Sequence, residues 1–317
     1  MAINQVQFQK GLSMPEFLER FGSETRCHAA VVAMRWPDGF VCPHCQGVRY
    51  SRFERQGRLY WQCSTCRTQT TATCGTIFQG SRLPLTHWFL AMHLLTQAKN
   101  NVSALELKRH LGVRYTTAWL LKHKLMQVMV DREATRTLEG RVEIDDAYLG
   151  GQLIGGKSGR GSENKVSFLA AVQTTPDGRP LYACMCKMPF TKEAVAAWAQ
   201  QSLSASAEVV SDGLACFQAV TCTGATHRRT VTGGGSSSAK LAQFRAINTL
   251  LGNLKTAFSG TYHAFDFQKY AHRYLAEVQY RFNRRFDLRE ILNRLLRAAV
   301  LTRPNPERSL RMAEASG

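Results

Sequence analysis

No run in this 317-residue chain approaches the roughly 18 consecutive apolar residues that a membrane-spanning helix requires. The opening MAINQVQFQKGLS also lacks the apolar centre of a secretory signal. A soluble, cytoplasmic protein is therefore expected. Acidic side chains are scarce: 23 Asp and Glu stand against 41 Lys and Arg, a net charge of +18. That deficit favours a polyanionic partner, bound by neutralising phosphates and releasing their counterions. Nucleic acid is the leading class and an anionic membrane the weaker rival. No internal repeat is visible. A disulfide framework is also missing, because only four of the ten cysteines form tight pairs and the other six are scattered.

Those four cysteines are Cys42, Cys45, Cys63 and Cys66, two C-x2-C knuckles separated by seventeen residues. The spacing falls within that of structural zinc sites, where four thiolates close a tetrahedral shell and leave no open position for chemistry. One structural Zn²⁺ is expected, with His44 outside the shell. The segment between the knuckles alternates and turns near Gly57, which predicts a hairpin carrying Arg49, Arg52, Arg55, Arg58 and Trp61. It reads either as a cationic face for DNA or as a rigid spacer.

Periodicity divides the chain into a helical segment (1–35), the cysteine-clamped module (36–80), a helical region (81–135), a domain of mixed strands and helices (139–300) and a tail (301–317). In the helical region the junction Leu111-Gly112-Val113 resembles the turn of a helix-turn-helix. Its second helix would present Arg114, Tyr115, Thr116 and Thr117 to a major groove; an ordinary helical hairpin is the alternative. Beyond residue 139, RVEIDDAYLGG, VSFLAAVQTT and PLYACMCKM read as three strands. A helix, a short strand ending at Asp212, and further helices follow. This order suits a mixed sheet with helices on its faces, an α/β or α+β fold.

Asp145 and Asp212 both lie at strand positions. Two such carboxylates near a sheet's centre repel each other unless cations lie between them, which suggests metal-assisted phosphoryl transfer with Mg²⁺ or Mn²⁺. Asn248 and Lys255 are seven residues apart on one predicted helix face, able to offer a carbonyl oxygen to a cation and a charge to a phosphate. Glu277, with Asp146 and Asp266 behind it, is the alternative third acid. The Gly-rich loop with Lys157, Arg160 and Lys165 is a DNA clamp or a solvated loop. Of the carboxy-terminal arginines, Arg284 and Arg285 are taken as DNA contacts.

The segments CPHC…CSTC, ELKRHLGVRYTTAW, VEIDDAYLGG, VVSDG, NTLLGNLKTAFSGTYH and RYLAEVQYRFNRR, in that order, cover most of residues 25–290. In them the chain resembles the bacterial insertion-sequence transposases of the IS fifteen-ninety-five family. The resemblance implies an amino-terminal zinc ribbon and a ribonuclease H-like core. It places Asp145, Asp212 and Asn248 as the three metal-binding residues, with Lys255 as the following lysine. It further implies double-stranded DNA, both element ends and target, as partner, cutting and joining by one site, and a homodimer or higher oligomer on DNA. Some relatives carry Glu where this chain has Asn248. A zinc-ribbon regulator without catalysis, or a nuclease that cuts without joining, are the alternatives.

Overall fold

The computed structural model describes residues 6–150, 165–231, 241–262 and 265–312. Two compact units divide the chain: Met1–Ala98 with Ala104–Val128 and Asp287–Arg311, and Lys99–Ser103 with Met129–Phe286 and Met312–Gly317. Among the described residues, no helix is long and apolar enough to cross a membrane.

The first unit opens with α1 (Met14–Phe21), which Ser13 and Glu16 close in a capping box, with Pro15 in the first turn and Gly22 at the end. Ser23 caps α2 (Glu24–Arg35). A three-stranded antiparallel ribbon follows, made of β1 (Tyr50–Arg55), β2 (Arg58–Cys63) and β3 (Gln69–Thr70). The hairpin reverses at Gln56-Gly57, both at positive φ, the two-residue turn whose twist matches the flanking strands.

Helices α3 (Leu85–Gln97), α4 (Ala104–Leu111) and α5 (Tyr115–Glu133) come next. The first residue of α3 follows Pro84, which offers no side-chain cap. Glu24 of α2 serves instead, accepting from the Leu85 and Thr86 N–H groups at 2.8 and 3.1 Å.

The second unit is built on a five-stranded sheet of order β6-β5-β4-β7-β8. Its strands are β4 (Arg141–Leu149), β5 (Val166–Thr174), β6 (Pro180–Lys187), β7 (Glu208–Ser211) and β8 (Thr226–Arg229). The first three form an antiparallel meander; β7 and β8 add in parallel on the other side of β4. This is the ribonuclease H-like arrangement. Helix α6 (Lys192–Ser202) and a 3-10 turn at Ala215–Thr223 cover one face, packing Val195, Trp198 and Phe217 on Val142 and Ile144. Helices α7 (Arg245–Thr261) and α8 (Phe267–Asn283) pack on the central and outer strands β4, β5 and β6.

The sequence reading differs from the structure at three points. GLACFQAV, read as a helix, forms a 3-10 turn that Gly224 ends at φ 92°. The edge strand β8, polar and largely exposed, carries no apolar alternation and is absent from the expected elements. Residues 287–300 fall in the first unit, where α9 (Ile291–Leu301) packs on α2 and α3. A last helix, α10 (Glu307–Met312), closes the described chain.

One buried network fastens the second unit around the end of α5. Glu133 accepts from Asn283, the last residue of α8, from Arg284 just beyond it, and from Arg136. Asn283 meanwhile donates to and accepts from the backbone of Ala183 on β6. Truncating one partner strands the other charge away from water. Glu133→Ala is expected to lower stability by about 3–5 kcal/mol, a range typical of broken buried pairs, read as a fall in the urea midpoint of the transition reported by this unit's tryptophan, Trp198.

Candidate active site and metal centres

Strand β4 carries Asp145 and Asp146, and Asp212 follows the last residue of β7. The parallel register pairs Ile144 with Ser211, so Asp145, in the middle of β4, stands level with Asp212, the residue that leaves the carboxyl end of the adjacent β7. Ligand oxygens of Asp145, Asp146 and Asp212 lie within 4.8 Å of one another, each residue partly exposed. Like charges at that spacing repel by about 3 kcal/mol per pair at an effective dielectric near 20. Three hard oxygen donors so placed fit a divalent cation such as Mg²⁺ or Mn²⁺. Asp146, ranked in the sequence as a reserve, belongs to this group; the Asp-Asp doublet itself was its signal. The Leu214 N–H donates to Asp212 at 3.3 Å across the turn at Gly213, where φ is 103°.

Helix α7 brings Asn248 and Lys255. Its buried stripe is Ala246, Ile247, Leu250, Leu254 and Phe258, which leaves Asn248 partly exposed and Lys255 exposed beside the packed face. Glu277 stands apart from the aspartates. It is fully buried in α8, where it accepts from the Tyr262 hydroxyl at 2.7 Å, and it is not part of the carboxylate group. Asp266 caps α8 by accepting from the Lys269 N–H at 2.9 Å.

A second side chain of β4 faces α7. Glu143, 1% exposed, accepts from Arg141 at 2.6 Å and from the Ile247 N–H at 2.9 Å. Arg141 also donates to the Gln243 carbonyl at 2.7 Å. The sequence gives no local sign of this link, whose two ends are 104 residues apart.

The four ribbon cysteines converge as the spacing predicts. Sγ–Sγ distances are 3.6 Å for Cys42–Cys66 and for Cys45–Cys63, and all four sulfurs lie within 4.8 Å. Both knuckles repeat one backbone design. The residue four past the first cysteine, Gln46 or Arg67, sits at positive φ and donates to that cysteine's carbonyl. Gly47 leaves room for the sulfurs, since a Cβ there would meet Cys63 Sγ at 3.3 Å and Cys45 Sγ at 3.4 Å. Hydrogen bonding with Thr68 pulls the Cys66 thiol down to about 5, while Cys45, despite the Gly47 N–H, is pushed up to about 12 by the neighbouring thiols, so without a cation the crowded sulfurs do not all ionise together. Four thiolates at this geometry fit Zn²⁺.

The expected DNA contacts divide. Arg114, Tyr115 and Thr116 are exposed and Thr117 partly so on the first turn of α5, reached through the tight turn at Gly112, φ 63°. Lys165 is partly exposed, whereas Lys157 and Arg160 lie outside the described residues. Arg284 is corrected: it is 6% exposed, paired with Glu133 and stacked 3.5 Å over Tyr280, so it is withdrawn from solvent. The Arg285 guanidinium donates to the carbonyls of Pro180, Leu181 and Phe282, and burial lowers its pKa to about 10. Trp61, read with the cationic hairpin, is buried against Trp36 at 5.0 Å. The other ribbon face pairs Phe53 with Tyr60, stacked at 5.4 Å, and sets Arg55 directly opposite Arg58.

Residues 137–283 match a family model described as an ISXO2-like transposase domain, and residues 22–69 match a transposase zinc-ribbon domain. The two matched segments are those of insertion-sequence transposases, with the ribbon ahead of a ribonuclease H-like core. The chain is 30% identical over 142 residues to a protein of Halobacterium salinarum described as an uncharacterized protein in transposable element ISH50. That match covers 44% of this chain and 46% of the relative, so the chain spans about half the length of the curated relative it matches.

Proposed function

We propose that this protein is a DNA transposase that binds the ends of an insertion sequence, cuts a strand there and joins it to target DNA. The carrying observation is the group of Asp145 and Asp146 in the middle of β4 with Asp212 at the end of the adjacent parallel β7, inside the residues that match a transposase domain. Two bound Mg²⁺ or Mn²⁺ ions would supply an activated oxygen nucleophile and stabilise the leaving oxygen. Asp145 and Asp212 would hold those ions. Asn248 offers a neutral carbonyl oxygen as the third ligand, and Lys255 meets a phosphate of the bound strand. Water and then the freed 3′-hydroxyl are the successive nucleophiles, so one site serves hydrolysis and transesterification.

DNA is held elsewhere on the chain. The first turn of α5 offers Arg114, Tyr115, Thr116 and Thr117 to a groove. On the ribbon, two arginines directly opposite one another are unfavourable unless an anion lies across them. Joining two element ends in one event calls for a homodimer or higher oligomer on DNA.

The test incubates the purified chain with Mg²⁺, target plasmid and a duplex carrying the DNA that flanks its own coding sequence. Strand-transfer products are expected; cleavage without joined products would make it a nuclease. Asn248→Ala is expected to lower cleavage by about 100-fold, on the scale seen when one transition-state contact is lost. The variant Glu277→Gln, which retains an acceptor for Tyr262, is expected to stay within about threefold of the parent, a change worth less than 1 kcal/mol. The reverse order would move the third ligand to Glu277.

A further inference from the structure

We infer that Glu143 is a positioning residue that fixes α7, and with it Asn248, against the strand that carries Asp145. The inference rests on the reading of Asp145, Asp212 and Asn248 as one metal-binding set. Glu143 cannot join that set itself, because it is 1% exposed and each oxygen is engaged, one by Arg141 and the other by the Ile247 N–H. Its position is what matters. Along β4 it stands two residues before Asp145, on the same face and about 7 Å away by strand geometry. Along α7 it holds the N–H of Ile247, the residue immediately before Asn248.

The start of α7 needs such a partner. Phe244, at its N-cap position, supplies no side-chain hydrogen bond; the Arg245 N–H bonds back to the Ala242 carbonyl of the preceding 3-10 turn, and the Ile247 N–H is met by Glu143. A carboxylate suits the positive end of the helix better than a neutral acceptor. Arg141 completes the clamp by donating to the carbonyl of Gln243, just upstream of α7, and to Thr174 Oγ1 on β5 at 3.2 Å. Two strands are thereby tied to the helix at the turn that presents Asn248. Glu24 closes the start of α3 in the same manner, yet nothing of the metal-binding set lies beside it. The difference gives Glu143 a functional consequence that a helix cap alone does not have.

The experiment measures Mn²⁺ binding to the full chain by the loss of free-ion electron paramagnetic resonance signal, without DNA or turnover. Glu143→Ala is expected to weaken Mn²⁺ binding by about 10-fold or more, as removal of supporting partners does at other metal sites. Glu143→Gln keeps an acceptor for Ile247 but turns an N–H toward Arg141, and should recover most of that loss. In an Asn248→Ala background, Glu143→Ala should cost little further, because both changes act on one ligand. Wild-type Mn²⁺ affinity in Glu143→Ala, or an undiminished loss in the Asn248→Ala background, overturns the inference. If Glu143→Ala fails to fold by circular dichroism, Arg141→Ala takes its place; it removes the ties to Gln243 and Thr174 together with the ion-pair partner of Glu143, and an unchanged affinity there counts equally against the idea. Asp145→Ala separates the two levels: full Mn²⁺ binding in that variant defeats the metal-site reading itself, whereas its loss beside an unaffected Glu143→Ala defeats only the positioning role.

Discussion

Asp145→Ala and Asp212→Ala are each expected to reduce Mg²⁺-dependent strand cleavage and joining by about 10³-fold or more, equivalent to at least about 4 kcal/mol of transition-state stabilisation. The size follows from what each carboxylate does. Both lie in one group within 4.8 Å, and losing either removes a charged ligand that the cations cannot replace from a neutral Asn248. DNA affinity should not fall in parallel. Binding is assigned to the basic surface of the ribbon and α5, and removing an acid beside the bound phosphate relieves a repulsion. The pairing to measure is therefore cleavage rate in a gel assay against affinity in a filter-binding or anisotropy titration, with circular dichroism to verify folding. Asp146→Ala refines the picture, since its neighbours Val142 and Ile144 on β4 face α6, whereas Asp145 shares its strand face with Glu143. Its expected loss is smaller than that of Asp145→Ala. Unchanged cleavage in both Asp145→Ala and Asp212→Ala would remove the catalytic assignment and leave a DNA-binding protein.

The elements that sequence made legible are those whose signal is local. Ser13, Pro15 and Gly22 announce α1 because capping depends on residues within one turn. Likewise Gly57 announces the hairpin, and alternation and short apolar runs announce β4 to β6. By contrast, β8 is held by backbone pairing to β7 while its side chains stay largely in water, so no apolar period marks it. Helix α9 shows the intermediate case. Its stripe of Ile291, Leu292, Leu295, Leu296 and Ala299 reveals a buried face. What it packs on, helices far earlier in the chain, is not written in that stripe.

The same division runs through the site. Cysteine spacing alone identifies the ribbon knuckles, because a C-x2-C turn is a local structure with one common purpose. The aspartates required more: each alone reads as a cap or turn residue, and it took their combination on two strands, together with the family resemblance, to join Asp145 to Asp212 across 66 intervening residues. Arg284 shows the cost of reading charge locally. The run FNRRFDLRE looks like a phosphate-binding surface, but Arg284 pairs with Glu133, 151 residues earlier, and is buried with it. Glu143 was overlooked for the same reason, since its consequence depends on a helix that starts about a hundred residues downstream.

Cys63→Ser is expected to abolish the binding of one zinc ion per chain and to weaken DNA binding while leaving the carboxylate group able to take up Mn²⁺. The ribbon has little else to hold it. Its three strands are mostly exposed, and its buried side chains are few: Phe40, Trp61 and Thr70 beside Cys42 and Cys63. So small a core does not repay the entropy of ordering the hairpin, whereas structural Zn²⁺ contributes on the order of 10 kcal/mol. Trp61 stays tied to Trp36 and His28 of the helical part, so unfolding should be confined to the knuckles and the hairpin tip. Limited proteolysis would then cut between residues 42 and 66, and chelator titration would show no bound zinc. Gly47→Ala should give a milder form of this defect, roughly 10-fold weaker zinc retention, by pressing a methyl group on two of the sulfurs. The chemistry and binding defects are thus predicted to separate: Asp145→Ala binds DNA and does not cut it, and Cys63→Ser keeps the cutting site but no longer holds DNA to it. A Cys63→Ser protein that retained stoichiometric zinc at parental affinity would refute the four-cysteine site and the role of the ribbon built on it.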